Sequence, residues 1–367
     1  MKLVLLPLAA IIGVHVADAF SLTPPVVYSR PAPSLRKGVV ADNRQKRVPL
    51  SYLSMVGSFV PDKDAAENFA KVPDHPVLRD PCFLKDPTTQ DTVEIRRDGA
   101  LVLNYNSGGS DVFFTRPDAV FDGSKPISGG VPLCWPQFGP GEIQQHGFAR
   151  NMKWDCADVK IDEAGGMKGG SFISNGARAI FELSDSKATR EMWPQKFKCR
   201  YEIQLSGGSL TLEFRVTNTD VKPMSFTGAL HTYFAIDDLA NLKINGPFEG
   251  KKYLDKTCDP PEMKDAEGTV TIDSFTEKVF QDVAGRVEIQ DGPKSVVIKS
   301  SSEWKDLAIW NPYGEENMGY KNFVCVENGV IHEPVELEAD GIWSARVTIT
   351  PFKNGAPAWA AGLADAE

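Results

Sequence analysis

The chain has 367 residues, a net charge of −9 and a pI of about 5.2. An acidic protein without a basic run beyond its first segment is not expected to bind nucleic acid, and an anionic ligand would need a locally basic pocket. A composition that is 42% hydrophobic and 24% charged allows one large buried core.

The first 19 residues have the pattern of a secretory signal peptide. One lysine precedes a mostly apolar run from Leu3 to Val16, and Ala17-Asp18-Ala19 has the A-x-A form of a cleavage site. The run is shorter than the roughly 20 residues that cross a bilayer, so a retained anchor is the weaker alternative. We expect no stable membrane anchor after the leader is removed.

Residues 20–55 have the composition of a transit peptide. They are rich in Ser, Pro, Arg and Lys, and Asp42 is their one acidic residue. A signal peptide followed by such a segment resembles the bipartite presequence of plastids of secondary origin. The pattern therefore predicts the plastid stroma, with secretion as the alternative, and a folded domain over residues 56–367.

Six cysteines, at positions 82, 134, 156, 199, 258 and 325, bear on the compartment. They form no C-x-x-C pair, and no Cys/His group has zinc spacing. We interpret all six as thiols, which favours a reducing stroma, although an even number leaves disulfides open.

After residue 90 the dominant hydrophobic period is two. Polar and apolar residues alternate in Arg200–Leu205, Leu210–Val216 and Val347–Thr350, and Val296–Ile298 is a β-branched run. Turn sequences stand at Asp98-Gly99, Asn106–Gly109, Ser206–Gly208, Asp291-Gly292-Pro293 and Glu327-Asn328-Gly329. Helical patterns are few, and Asp64–Phe69 is one candidate. Many short strands with frequent turns predict an all-β fold, a β-sandwich.

Ile127–Asp155 is the segment most suggestive of a binding cleft. Its five glycines and three prolines disfavour regular structure. Its aromatic residues could pack against the C–H surface of a sugar ring, while Gln145, His146 and Arg150 could bind sugar oxygens. The alternative is an ordinary loop whose aromatic residues fill the core.

The same segment resembles the signature of the hexose-6-phosphate mutarotases, a branch of the aldose 1-epimerase superfamily. The matching strings are GGVPLCWPQFGP and QHGFARNMKW, followed in the expected order by ALHTYFAIDDL at Ala229–Leu239 and FVCVENG at Phe323–Gly329. Weaker matches are KYLDKT at Lys252–Thr257 and WNP at Trp310–Pro312. The resemblance covers roughly Val60 to Gly362 and implies the large two-sheet supersandwich of galactose mutarotase.

Exchange of sugar anomers requires opening the ring and closing it on the other face of C1. A base must take the O1 proton while an acid protonates the ring oxygen O5, and closing reverses both transfers. General acid–base help of this kind is typically worth about 10²–10⁴-fold. The reaction needs no cofactor and no metal.

The resemblance assigns these two roles to His231 and Glu327. His231 follows a strand-like segment among apolar residues, where a histidine alone would more often be a core residue. By its position, Glu327 is predicted to end a hydrophobic strand just before a turn, where an ordinary charged residue would also stand. The resemblance implies that His231 is the acid at O5 and that Glu327 is the base at O1.

The resemblance also implies the residues that position the substrate. Gln145 and Arg150 correspond to ligand-binding residues of the family, and the fork of Arg150 suits a phosphate or a sugar hydroxyl. A structural ion pair is the alternative for Arg150. His146 would bind a hydroxyl or brace the cleft, and Trp135 or Phe138 would line it. His75 and His332 match no catalytic motif and are expected at the surface or in packing.

Two departures from the family pattern concern the substrate. Ser128 stands where the family usually has a phosphate-binding arginine, and a lost charge-assisted contact costs about 1.5–3 kcal/mol. Arg116 or Lys125 could compensate. Glu277, before Lys278-Val279-Phe280, stands where the family often has an aspartate that binds a hydroxyl.

The sequence thus predicts a monomeric, cofactor-independent isomerase that interconverts the anomers of a hexose 6-phosphate, with glucose 6-phosphate favoured. Ser128 keeps open an aldose 1-epimerase of unphosphorylated sugars. A carbohydrate-binding sandwich without turnover is the alternative from another class. The expected partner is a small sugar or sugar phosphate.

Overall fold

The computed structural model describes residues 80–161, 167–168, 171–172 and 176–355. The predicted leader, His75 and the candidate helix Asp64–Phe69 lie outside these residues and stay predictions. None of the helices in the described ranges is long and apolar enough to cross a membrane.

Strands make up most of the described chain. In chain order they are β1 (Cys82–Lys85), β2 (Thr92–Arg96), β3 (Leu101–Ser107), β4 (Ser110–Asp111), β5 (Leu133–Cys134), β6 (Asp155–Ile161), β7 (Met167–Lys168), β8 (Ser171–Phe172), β9 (Ala177–Ser184), β10 (Phe197–Ser206), β11 (Ser209–Asn218), β12 (Met224–Leu230), β13 (Tyr233–Ala235), β14 (Leu242–Asn245), β15 (Lys252–Asp255), β16 (Glu262–Asp265), β17 (Thr276–Phe280), β18 (Arg286–Asp291), β19 (Lys294–Ser300), β20 (Asp306–Asn311), β21 (Phe323–Leu337) and β22 (Ile342–Phe352).

Helices are short. The α-helix α1 spans Lys187–Met192, and Ser186 begins it with a capping box to Thr189. Short 3₁₀ turns span Ala149–Asn151, Leu239–Asn241, Glu316–Met318 and Tyr320–Asn322.

Two large antiparallel sheets form the fold. One, here called sheet 1, has the strand order β14-β18-β19-β22-β11-β10-β9-β6, and the other, sheet 2, has the order β16-β15-β17-β20-β21-β12-β5, with β13 also paired to β21. A four-stranded sheet, β1-β2-β3-β4, precedes them in the chain. The expected all-β antiparallel architecture is therefore confirmed.

The period-two pattern gives the central strands β10 and β11 of sheet 1 one buried face. In β10, Tyr201, Ile203 and Leu205 are buried and alternate with partly exposed residues, and Tyr201 lies opposite the buried Phe214 of β11. Gly207 and Gly208 join the two strands with φ of +58° and +75°. A two-residue turn with two positive φ values matches the twist of a hairpin.

Aromatic residues fill the space between the two sheets. The ring of Phe226 in β12 lies 5.5 Å from that of Trp343 in β22. The indole of Trp135, just after β5, is edge-on to Phe197 at 4.8 Å and to Phe214 at 6.1 Å, and it has no exposed surface. Trp135 is therefore a core residue, and the prediction that it lines the cleft is wrong for it.

The predicted turn at Glu327-Asn328-Gly329 is also wrong, because β21 continues through it to Leu337. Asn328 pairs with Leu307 of β20 on one side and with Leu230 of β12 on the other, so backbone bonds to two neighbours outweigh the local turn tendency. A Cβ at Gly329 would lie 2.9 Å from the carbonyl oxygen of Gly228. Because Gly329 has no side chain, β21 and β12 can approach each other closely at this position.

Other expectations agree with the structure. The remaining predicted turns lie between strands, and all six cysteines are free thiols. Residues 127–155 contain only β5, a 3₁₀ turn and the start of β6 as regular structure, as their glycines and prolines predicted.

Candidate active site

The candidate site lies on the face of sheet 2 that is turned away from the main core. In β21, Val324 and Val326 belong to the main core, whereas Phe323 and Cys325 join a smaller cluster with Tyr233. Because side chains alternate along a strand, Glu327 projects on the same side as Cys325. The alternation therefore separates core residues from site residues within one strand.

Strand register places the other site residues beside Glu327. Glu277 of β17 lies opposite Trp310 of β20, which lies opposite Cys325, which lies opposite Tyr233. These four cross-strand neighbours share one face of the sheet.

A parallel row contains Glu327 itself. Val279 of β17 lies opposite Ala308 of β20, which lies opposite Glu327. The short side chains of Val279 and Ala308 therefore adjoin the carboxylate.

The histidine and glutamate are in direct contact. Nδ1 of His231 lies 3.3 Å from Oε1 of Glu327. Glu327 is 2% exposed and His231 is 9% exposed, so substrate would meet the pair at the histidine. Within the described residues, Oε2 of Glu327 is buried without a hydrogen-bond partner. A buried unpaired carboxylate oxygen is costly to stability and marks a functional group.

The environment shifts both members of the pair toward their uncharged forms. Burial raises the pKa of Glu327 well above its usual value, and the charge of Glu277 adds to the effect. Burial lowers the pKa of His231 well below its usual value, with smaller effects of His146 and Arg150. The favoured form is therefore a protonated Glu327 carboxyl beside a neutral His231 imidazole, and this form holds one proton that can be transferred.

Aromatic contacts fix the ring of His231. It follows β12 directly, and its backbone N–H donates to the carbonyl of Pro132 at 3.0 Å. The ring stacks on Tyr233 at 4.8 Å with an angle of 9° between planes, and it meets Trp310 edge-on at 6.0 Å. Neither aromatic residue was predicted to contact His231, although both fall within the matching strings.

His146 is held next to His231 in one tautomer. The two ring centroids lie 5.5 Å apart, and the ring of Phe138 lies 5.1 Å from His146. Nδ1 of His146 accepts a hydrogen bond from the N–H of Gly139 at 3.2 Å, so the neutral ring carries its proton on Nε2. Burial, with the charges of Arg150 and Lys256, lowers the pKa of His146 to about 4.

Arg150 directs positive charge at the pair. It lies in the 3₁₀ turn after His146, and its Nη2 donates to the carbonyl of Gln145 at 2.9 Å. Its Nε is buried without a hydrogen-bond partner, and no carboxylate of the described residues pairs with it. The alternative of a structural ion pair is therefore not supported. The Gln145 side chain is exposed and lies 3.4 Å from Nε2 of His146.

Lys256 is a residue that sequence reasoning did not single out. It follows β15, pairs with Oε1 of Glu277, and donates its backbone N–H to the Glu277 carbonyl at 2.9 Å. Its charge lowers the pKa of Glu327 against the effect of burial. The signal available in the sequence was its place in the KYLDKT string.

Ser128, which stands where the family usually has an arginine, lies in a backbone segment that pairs with Arg116. The carbonyl of Ser128 accepts the N–H of Arg116 at 2.9 Å, and among the described residues its hydroxyl makes no hydrogen bond to the pair. The guanidinium of Arg116 is bound by both oxygens of Asp118. Lys125, in contrast, lines a cavity of 280 Å³ together with Arg150.

The other described histidine has a structural role, as expected. Nδ1 of His332 lies 2.6 Å from Oδ1 of Asp306, and the other oxygen of Asp306 accepts the N–H groups of Ile331 and His332.

Comparisons with known proteins agree with this fold. The sequence model of the family described as "Aldose 1-epimerase" matches residues 84–350. A Cenchrus ciliaris protein named "Putative glucose-6-phosphate 1-epimerase" is 30% identical over 277 residues, which is 70% of this chain and 80% of that protein.

Two crystal structures extend the comparison. One, titled as a "putative mutarotase" from Salmonella typhimurium, superposes with a TM-score of 0.62 at 27% identity, over 72% of this chain and 88% of that one. A Synechocystis sp. PCC 6803 protein has a TM-score of 0.64 at 22% identity, over 77% and 97% of the two chains, and supports the fold alone.

The two-sheet sandwich, and its likeness to a structure titled as a mutarotase at 27% identity, define the class of the protein as that of the mutarotases. More closely, the chain belongs to the aldose 1-epimerase family.

Proposed function

We propose that this enzyme interconverts the α and β anomers of a hexose 6-phosphate, with glucose 6-phosphate as the favoured substrate. The observation that carries the proposal is the 3.3 Å contact of His231 with Glu327 on the face of sheet 2 that is turned away from the main core. O1 and O5 of a pyranose are bound to the same carbon, so an acid and a base in contact suit the two transfers. The name of the 30% identical relative supports the phosphorylated substrate.

Each ring opening moves two protons and leaves the number on the enzyme unchanged. The Glu327 carboxylate takes the proton from O1 as protonated His231 gives one to O5, the C1–O5 bond breaks and C1 becomes an aldehyde. The pair is then a neutral carboxyl and a neutral imidazole, which is the form that burial favours. Rotation about C1–C2 followed by the reverse transfers gives the other anomer.

The surrounding polar groups have complementary tasks in this proposal. Arg150 and Lys256 stabilise the carboxylate form of Glu327 and thereby keep it basic enough to act. The Nε2–H of His146 donates to a sugar hydroxyl, and Glu277 accepts one. Arg150, whose charge acts on Glu327 and whose Nε has no hydrogen-bond partner within the described residues, is the group that we assign to the phosphate.

An unphosphorylated aldose is the second candidate substrate. It is favoured by one observation, the neutral Ser128 beside an Arg116 that Asp118 already binds. A binding protein without turnover has no need of a buried carboxylate oxygen left unpaired, and this observation counts against it.

The test is an anomer-exchange assay with glucose and glucose 6-phosphate in parallel. Purified protein is added to each freshly dissolved α anomer, and the approach to equilibrium is followed by polarimetry or NMR. We expect faster exchange than in buffer, with the larger kcat/KM for glucose 6-phosphate. A larger value for glucose would favour the second candidate, and binding without acceleration would favour the non-catalytic one.

We also propose that the enzyme acts in a plastid stroma. The leader pattern of residues 1–55 and the six free thiols support this location. Residues 1–55 fused to a fluorescent protein should direct it to a plastid, whereas export from the cell would favour secretion.

A further inference from the structure

A third potential metal ligand lies beside the histidine–glutamate pair. One ligand atom each from His231, Cys325 and Glu327 lies within 4.8 Å of the other two. Cys325 reaches this position because it precedes Glu327 by two residues in β21 and projects from the same face. The proposed proton transfers do not use its thiol.

The chemistry of this set fits a thiophilic divalent cation. Imidazole, thiolate and carboxylate are the three ligand types that zinc binds in proteins, at about 2.0–2.3 Å. Ligand atoms around a tetrahedral zinc then lie roughly 3.3–3.8 Å apart. His231 and Glu327 are already at 3.3 Å, so a small movement of the Cys325 sulfur would complete three of the four positions.

The ligands are also available and held in place. Nδ1 of His231 and Oε2 of Glu327 are buried and make no hydrogen bond within the described residues. Tyr233 and Phe323 pack around Cys325, and the resulting apolar shell strengthens bonds to a cation once it has entered.

We propose that His231, Cys325 and Glu327 form an inhibitory site for zinc and similar thiophilic cations. Binding releases the thiol proton of Cys325 and the carboxyl proton of Glu327 to solvent, and the cation then occupies the two groups that act on the sugar in the proposed function. The cation therefore competes with sugar. Magnesium, which prefers oxygen ligands, does not act in this way.

The direct test uses cobalt as a spectroscopic substitute for zinc. The protein without its predicted leader (residues 56–367) is reduced, freed of added thiols and titrated with CoCl₂. Its near-ultraviolet thiolate-to-cobalt absorption is recorded. We expect this absorption in the wild type and its loss in Cys325→Ala. Cys134→Ser is the matched control, because Cys134 is equally buried near the site but is outside the ligand set. It should keep the absorption. A wild type without the band, or a Cys325→Ala variant that retains it, would overturn the proposal.

The functional test measures anomer exchange at increasing ZnCl₂. Cys325→Ala should raise the half-inhibitory zinc concentration roughly tenfold or more, since even changes outside the ligand shell commonly cost this much affinity. Equal sensitivity of the two proteins, or inhibition by magnesium at the same concentration, would contradict the assignment. The cobalt spectrum does not depend on turnover, so it tests the metal site even if the proposed substrate is wrong.

Discussion

At the scale of single residues, the site combines two groups that burial shifts in opposite directions. Burial holds Glu327 toward its protonated form and His231 toward its neutral form, and these two side chains lie 3.3 Å apart. The arrangement resolves a difficulty of the chemistry, because a carboxylate and an imidazolium would each be costly alone in this environment. Charges from Arg150 and Lys256 adjust the balance.

Replacing Glu327 by Gln should remove most turnover while preserving the fold. Loss of a general base typically costs about 10²–10⁴-fold in rate. Glutamine is uncharged and similar in size to glutamate, and burial keeps His231 neutral, so the variant leaves no buried charge unpaired and we expect a Tm close to that of the wild type. Glu333→Gln is the control, since Glu333 is exposed and pairs with Lys305, and it should keep the wild-type rate. A near-normal rate for Glu327→Gln would refute the assigned role.

Replacing Arg150 by Ala should affect the two candidate substrates unequally. If the guanidinium binds phosphate, KM for glucose 6-phosphate rises about ten- to a hundredfold, as expected for a lost charge-assisted contact, while KM for glucose changes less. Lys153→Ala, which removes a nearby cation from the same segment, is a suitable control for net charge. Equal changes in both KM values would show that Arg150 does not read the phosphate.

His146 gives the folded state a specific sensitivity to acid. Its pKa falls to about 4 in the folded protein from an unfolded value near 6.5. The unfolded chain therefore binds a proton that the folded chain does not, and stability is lost as the pH falls from about 6.5 to about 4.

The variant His146→Asn should weaken this loss of stability in acid. Asparagine tolerates the positive φ of +66° at this position and can accept the Gly139 hydrogen bond. Urea unfolding at several pH values would measure the effect. The same pH slope in variant and wild type would mean that His146 is not the responsible group.

At the scale of elements, the loop that carries His146 and Arg150 is fixed to the sheet through its backbone. Gly147 forms a bridge to Trp135, and the N–H groups of Phe148 and Ala149 both donate to the Trp135 carbonyl at 3.0 Å. The backbone after β5 thus pairs with the backbone of the loop. The Trp135 indole lies on the core side of this contact, and His146 and Arg150 lie on the site side. Position 147 permits this contact because it has no side chain.

Gly147→Ala should therefore damage both stability and substrate binding. A Cβ there would lie 2.2 Å from the Trp135 carbonyl oxygen, in addition to the strain of a φ of +68°. Gly139→Ala provides the matched control, because its φ of +73° is similar but no atom lies within 4 Å. The control should lose about 1–2 kcal/mol from left-handed strain alone. Denaturant unfolding should show a clearly larger loss for Gly147→Ala, together with a raised KM, and equal losses would argue against a backbone clash.

At the scale of the whole molecule, sheet 2 separates two environments. Its inner face packs on sheet 1 through Trp135, Phe226 and Trp343, and its outer face carries His231 and Glu327, the proposed proton-transfer pair. The site is thus built on central strands with partners on both sides, which holds His231 and Glu327 to a narrow range of positions.

The core role of Trp135 can be measured directly. Trp135→Ala should lower the free energy of unfolding by about 3–5 kcal/mol, as for other buried large aromatic residues. Phe121→Ala is the comparison, because Phe121 is 56% exposed, and its effect should stay within about 0.5 kcal/mol. A small change in the free energy of unfolding for Trp135→Ala, together with a large change in KM, would contradict the core role and indicate that Trp135 contacts the substrate.

Local patterns in the sequence determined the class of fold and the chemical groups available. Alternation in Arg200–Leu205 and in Leu210–Val216 identified two strands, which pair in the structure. The pattern is local because successive side chains of a strand point to opposite faces of the sheet. The sequence motifs also identified His231 and Glu327, whose contact in the structure agrees with a shared task.

Tertiary structure decided which side of each strand faces the candidate site and which residues meet there. Glu327-Asn328-Gly329 has a turn sequence but lies in a central strand, Trp135 fills the core, and Lys256 and Trp310 join the site. These outcomes depend on register between β12, β17, β20 and β21, whose residues are separated by up to about a hundred positions. Such pairing is set by burial and hydrogen bonding across the whole sheet, and no local pattern contains it.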